Sequence, residues 1–204
     1  MTVQASRIKK LNHAEVIDSE YVLYWMQQSQ RAEDNHALEY AIYEANKQEK
    51  MVVVFFCLTE SYPDANLRHY TFLLEGLKET KKALENRGIR FIFRIGDPVQ
   101  EVLEIGEKAS MVVCDRGYLR HQKHWRKEVS EKLSCPVVQV ETDVVIPIEE
   151  VSDKAEYAAY TIRRKIDRQL DKYLIPIDEQ ELRSPSLKIS INGVALENIE
   201  TILT

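Results

Sequence analysis

The sequence predicts an α/β fold: a Rossmann-like, doubly wound, five-stranded parallel sheet with helices on both faces, followed by a long helix and an extended linker. Two observations carry this. Five short runs rich in β-branched and aromatic residues recur between residues 21 and 140, and each gap between them holds an amphipathic helical pattern. The strongest runs also lack polar alternation, as strands covered on both faces require.

Residues 1–20 are polar, and Arg7-Ile8-Lys9-Lys10-Leu11 reads as part of a solvated lead-in. Tyr21-Val22-Leu23-Tyr24-Trp25 is the first central strand. Asp34 is placed to cap a helix with Ala37, Leu38, Ala41, Ile42 and Ala45 as its apolar stripe. Met51–Leu58 is the most strand-like run of the chain and reads as a second central strand. A loop over 59–66 leads into a helix over 67–87, with Leu67, Tyr70, Leu73, Leu74, Leu77 and Leu84 on one face and Gly88 as its stop.

Residues 89–95 alternate apolar and basic side chains, as a half-covered strand does. Asp97 then caps a helix with Pro98 in its first position and Gln100 completing a capping box; Val102, Leu103 and Ile105 face the core. Met111-Val112-Val113-Cys114 is the fourth strand, ending at Asp115-Arg116-Gly117. A helix over 120–133 carries Trp125, Val129 and Leu133 at intervals of four. The fifth strand, 136–140, ends in Glu141-Thr142-Asp143 and completes a sheet domain over about residues 20–147.

Residues 148–175 hold a helix leaving the sheet. Asp153 and Glu156 make a capping box for a helix over 154–174, along which Ala158, Ile162, Ile166, Leu170 and Leu174 repeat. Residues 176–204, with Pro176 and Pro185, read as a linker ending in a short helix over 196–203.

The composition narrows the chemistry. Lys and Arg number 28 against 33 Asp and Glu, a formal charge of -5, which disfavours phosphate-neutralising binding of nucleic acid by this domain itself. The longest apolar run is Met51–Leu58, far short of the roughly 20 residues that span a bilayer. No signal-peptide pattern precedes Tyr21, so the expectation is a soluble cytoplasmic protein without a membrane partner. Cys57, Cys114 and Cys135 lack metal-ligand spacing and read as reduced, buried thiols.

The six glycines form neither a dinucleotide fingerprint nor a phosphate loop, and no nucleophile elbow or zinc motif is present. His13 and His36 read as surface residues; His69, His121 and His124 read as packing or capping groups on helices. Trp25 reads as core before cofactor stacker, and Arg163-Arg164-Lys165 with Arg168 as a solvated helix face. What remains is the rim of the sheet, where open α/β folds bind ligands. Met26, Gln27, Leu58, Thr59, Asp115, Arg116, Gly117, Thr142 and Asp143 follow the strands and should converge on one crevice.

Three stretches carry a family resemblance. Tyr24-Trp25-Met26 followed by Arg31-x-x-Asp34-Asn35-x-Ala37-Leu38 resembles the opening of the photolyase/cryptochrome α/β domain, with the Tyr-Trp-Met of class II cyclobutane pyrimidine dimer photolyases. It departs at Gln28-Ser29, where that family commonly has Arg-Asp. Arg68-His69-Tyr70 with Phe72-x-Leu74-x-Gly76-Leu77 is similar to the class II helix at the same point in the order. Ser152-Asp153-Lys154-x-Glu156-Tyr157-Ala158-x-x-Thr161-Ile162-Arg163-x-Lys165-Ile166 resembles the segment leaving that domain, and is the most specific match.

The resemblance implies the N-terminal domain of a light-driven deoxyribodipyrimidine photolyase. Its rim crevice would hold an antenna chromophore of 8-hydroxy-deazaflavin, folate or flavin type at the nine rim residues. FAD and damaged DNA would belong to a C-terminal helical domain, supplied in cis or as a separate chain. The chain by itself would then be inactive, with no catalytic residue. The residues alone leave open a stand-alone Rossmann-like cofactor- or nucleotide-binding module, or a docking module.

Overall fold

The computed structural model describes residues 3–60, 62–196 and 202. Along the chain come strand β1 (Ile8–Lys10), strand β2 (Tyr21–Trp25), helix α1 (His36–Gln48), strand β3 (Met51–Leu58) and helix α2 (Leu67–Asn86). Strand β4 (Arg90–Ile95), helix α3 (Pro98–Gly106), strand β5 (Ala109–Asp115), helix α4 (Arg120–Lys132) and strand β6 (Val137–Val140) complete the sheet region. Three short helices follow, α5 (Ile148–Val151), α6 (Ala159–Asp167) and α7 (Leu170–Tyr173).

The strands form one sheet in the order β1-β6-β5-β2-β3-β4. β2 to β6 pair in parallel, the predicted five-stranded sheet. The addition is β1, which pairs antiparallel with β6 through Ile8↔Val140 and Lys10↔Val138. The lead-in is therefore part of the fold, and its polarity reflects an edge position: Lys9 and Lys10 are exposed beside a strand with no further neighbour.

Strand periodicity sorts the core onto two faces. Val22, Tyr24, Val52, Val54 and Phe56 pack with α1 and α2, through Ala41, Ile42, Leu74, Leu77 and Leu84. Tyr21, Leu23, Trp25, Val53 and Phe55 pack with α3 and α4, through Val99, Val102, Ile105 and Val129. Each fully buried aliphatic or aromatic side chain contributes about 1.5–3 kcal/mol, so these runs supply most of the drive that closes the sheet between its helices.

Several boundaries differ from the sequence reading. Asn35, not Asp34, caps α1, its side chain accepting from Leu38 N, while Asp34 takes a left-handed backbone at φ 48°. His36 is half-buried rather than at the surface. Leu67 is 63% exposed, because it lies at the first turn of α2, beyond the sheet. The long helix over 154–174 does not form. Glu156 accepts from Ser152 Oγ and Lys165 Nζ, closing a local ring, and helix starts only at Ala159 and breaks before Leu170.

The linker packs back on the domain. Gln180 N donates to Glu39 Oε2, Arg183 N to Asn46 Oδ1, and Val194 N to Phe93 O on the outer edge of β4. Ser186 is fully buried, accepting from Arg90 N and donating to Val52 O. The tail thus covers an edge that would otherwise expose unpaired backbone. The short helix over 196–203 lies largely outside the described residues. Among the described residues no helix is long and apolar enough to cross a membrane. All three cysteines are free, Cys114 and Cys135 buried and Cys57 half-buried.

Candidate functional site

At the carboxyl ends of β2 and β3 the sheet opens into a crevice of about 210 Å³. Its floor is the strand ends themselves, Trp25 to Gln27 and Phe56 to Thr59. Parallel strands leave this end of the sheet uncovered where successive helices diverge, which is why it forms here. One wall is Tyr62 and Ala65 with the start of α2, His69, Tyr70 and Leu73; the other is α4, with Gln122 and Trp125.

Local chemistry holds both walls. Asn66 caps α2 by accepting from Arg68 N and His69 N, and His69 Nδ1 accepts in return from Asn66 N. Tyr70 Oη donates to the carbonyls of Thr59 and Glu60, both at 3.0 Å, stapling the loop to the helix. His121 sits edge-on to Tyr62 and Trp125, each ring centroid 4.9 Å away. Gln122 Oε1 accepts from Leu119 N and its Nε2 donates to Gln28 Oε1. That fold of Gln122 onto the start of α4 requires Gly117, where a Cβ would stand 2.3 Å from Gln122 Oε1.

The β2–α1 turn is set by Asp115, 1% exposed at the end of β5. Its Oδ2 accepts from the backbone N–H groups of Gln27, Gln28 and Ser29 at 2.8, 2.8 and 3.1 Å, and Oδ1 accepts from Tyr24 Oη at 2.8 Å. Burial pushes this carboxyl above the ordinary carboxylate range, and the backbone N–H groups with Tyr24 pull it back. Tyr24, enclosed beside Asp115, is held well above the usual phenol value. Asp143 accepts from Gln28 Nε2 and Ser29 Oγ and fixes the turn from outside. Gln28-Ser29, the departure from the family pattern, is therefore bound to the neighbouring loop.

Of the nine predicted rim residues, Met26, Gln27, Leu58 and Thr59 line the crevice. The other five stand elsewhere, because β5 and β6 end beneath the turn that Asp115 ties down. Asp115 is spent on that turn. Arg116 pairs with Glu141 and Glu149, each at 2.9–3.0 Å, and borders a separate groove. Gly117 offers its carbonyl to Arg126. Thr142 accepts from Ala37 N, and with Asp143 faces a third depression beside His36 and Arg31. Trp25 is both core and floor, 1% exposed. The residues sequence reasoning missed, Tyr62, His69, Tyr70, Gln122 and Trp125, come from helix starts and a loop. No common sequence signal marks them: Tyr62 lies in the β3–α2 loop, His69, Tyr70 and Gln122 in the first turns of α2 and α4, and Trp125 in the second turn of α4.

Chemically the crevice is apolar and aromatic, and among the described residues no lysine, arginine, aspartate or glutamate lines it. Cys57, at its floor, is an inert thiol, pushed up to about 12 by burial and by Glu101 and Asp97 nearby. The described residues contain no cluster of metal-ligating side chains. Gln27 Oε1 is buried without a hydrogen-bond partner. Aromatic walls with one unsatisfied amide oxygen fit a planar heteroaromatic group.

Comparison with known proteins agrees with this architecture. The DNA photolyase family matches residues 22–185. The deoxyribodipyrimidine photo-lyase of Methanothermobacter thermautotrophicus is 43% identical over 188 residues, covering 92% of this chain and 42% of its own. That of Potorous tridactylus is 36% identical over 160 residues, covering 76% of this chain and 30% of its own. A class III photolyase from Agrobacterium tumefaciens superposes with a TM-score of 0.71 at 19% identity, over 89% of this chain and 38% of its own. An archaeal photolyase from Sulfolobus tokodaii, solved with two FAD molecules, superposes at 0.70 and 15% identity, over 90% of this chain and 41% of its own. The chain spans less than half the length of each of these relatives. It belongs to the DNA photolyase family, homologous to the N-terminal α/β domain of the deoxyribodipyrimidine photo-lyases.

Proposed function

We propose that this chain is the antenna domain of a class II-type deoxyribodipyrimidine photolyase acting in the cytoplasm, and that the crevice over β2 and β3 holds its light-harvesting chromophore. The observation that carries the reading is the crevice itself: aromatic, open at one end, free of charged lining among the described residues, and carrying an unsatisfied Gln27 oxygen. At about 210 Å³ it lies below the roughly 300–1,000 Å³ of ordinary small-molecule sites, so it takes a planar ring and leaves substituents at the mouth. A bound chromophore of deazaflavin, folate or flavin type supplies absorption that is passed on to FAD. Trp25, Tyr62, Tyr70 and Trp125 hold the ring and exclude water.

Lesion splitting and DNA contact belong in this reading to a helical FAD domain, in cis or as a separate chain. Its docking surface is the segment around α6, where Tyr157 and Tyr160 are 88% and 63% exposed beside exposed Arg163 and Arg164. Arg116 and an apolar groove lined by Val145, Ile148, Ile162 and Ile166 adjoin it.

Absorbance of the purified chain tests the antenna role. A near-ultraviolet or blue band, present on isolation or taken up from added chromophore and lost in Trp125→Ala, supports it. A chain that carries no band and takes up none sinks it.

A further inference from the structure

We infer that Gln27 selects the crevice's ligand, its carboxamide pairing with the lactam edge, an adjacent C=O and N–H, of an uncharged heteroaromatic ring. This rests on the crevice being the chromophore site. Among the described residues that line the crevice, Gln27 is the one with a buried side-chain atom lacking a hydrogen-bond partner. Gln122 Nε2 donates to Gln28 Oε1, Gln122 Oε1 accepts from Leu119 N, Gln28 Nε2 donates to Asp143, and His69 Nδ1 is taken by the Asn66 cap. Gln27's own main chain is committed too: its N–H donates to Asp115, and its carbonyl accepts from Gln30 Nε2 at 2.6 Å. The main chain of Gln27 is thereby fixed beside the crevice, and its Oε1 is buried with no partner.

A buried acceptor in that state is uncommon in folded proteins and favours a ligand that brings a donor. Whichever way the amide is turned, it offers one acceptor and two donors in a plane, the complement of a lactam. The absence of charged lining among the described residues sets the second half of the specificity. A phosphate or carboxylate tail finds no counter-ion inside the crevice and stays outside it.

The test uses the purified chain with riboflavin, whose ring carries such an N–H, and N3-methylriboflavin, which lacks it, titrated by flavin fluorescence. Methylation leaves Gln27 Oε1 unpaired, so the parent compound should bind about tenfold or more tightly. Gln27→Leu should weaken the parent until the two compounds bind alike, at unchanged thermal stability; Gln27→Met replaces it if the leucine variant unfolds. Equal binding of both compounds to the unaltered chain, or a ratio unmoved by the substitution, overturns the role of Gln27 and leaves the crevice reading standing. Binding of neither compound overturns the role of Gln27, and the crevice reading falls with it only if added folate and deazaflavin are not taken up either.

Discussion

Asp115→Ala is the most revealing single change, because one carboxylate organises the whole β2–α1 turn. The substitution strips partners from the N–H groups of Gln27, Gln28 and Ser29 and from Tyr24 Oη, beneath a residue that is 1% exposed. Removing the hydrogen-bonded partner of a buried polar group costs about 1–3 kcal/mol for each group left unsatisfied. Entry of water and relaxation of the turn reduce the total, so we expect about 3–5 kcal/mol, the range seen when buried charged pairs are broken. Asp115→Asn keeps the shape: its oxygen can still accept from the backbone groups while its NH2 donates to Tyr24 Oη, for about 1–2 kcal/mol. Urea unfolding followed by circular dichroism, read at constant m, measures both. Amide exchange at Gln27, Gln28 and Ser29 should quicken in the alanine variant. A loss below about 1 kcal/mol for Asp115→Ala, with protection at those amides retained, would refute the argument that this carboxylate holds the turn.

Other consequences follow from the same geometry. Arg87 Nη2 lies 2.7 Å from Glu39 Oε1, and Glu39 is 1% exposed while also accepting from Gln180 N. Arg87→Met should cost about 3–5 kcal/mol in urea unfolding and expose the tail beyond Gln180 to limited proteolysis. His36 is lowered from 6.5 to about 4 by burial and then by Arg7 and Arg31. Between those values the unfolded chain binds a proton that the folded chain refuses, so stability is complete near neutrality and falls as pH drops from about 6.5 to about 4. His36→Gln should flatten that part of the stability–pH curve, and an unchanged slope would count against it. Gly88 has φ 76° and a Cβ there would meet Pro185 at 3.3 Å, so Gly88→Ala should lower stability by about 1 kcal/mol or more. Gly76, in the exposed middle of α2 with open space around it, should gain roughly 0.5–1 kcal/mol as alanine; thermal melts of the two variants should move in opposite directions.

The parallel sheet was legible because Val22 to Trp25 and Val52 to Phe56 are buried on both faces, and only uninterrupted apolar runs satisfy that. The edge strand β1 was not, since Ile8-Lys9-Lys10 needs polar side chains where one side of the strand meets water. The helix over 154–174 was misread for the opposite reason: its spacing of apolar residues is helical, but Ser152, Glu156 and Lys165 satisfy one another locally and delay the helix to Ala159. At the rim, Met26, Gln27, Leu58 and Thr59 were foreseeable from strand ends alone. Asp115 and Thr142 were not separable from them, because whether a rim side chain faces the crevice or turns inward depends on which backbone N–H groups stand opposite.

The order of apolar runs and helix signals along the chain suffices for strand identity, parallel pairing and helices on both faces, since each rests on local pattern; the family resemblance rests instead on particular residues in order, from Tyr24-Trp25-Met26 to the 152–166 run. Tertiary structure decided where the crevice lies and what it is made of. Tyr62, His69, Gln122 and Trp125 meet there only because α2 and α4, packed on opposite faces of the sheet, both reach the carboxyl ends of β2 and β3. The inward commitment of Asp115 and the unsatisfied state of Gln27 exist only once distant backbone is brought within hydrogen-bonding reach.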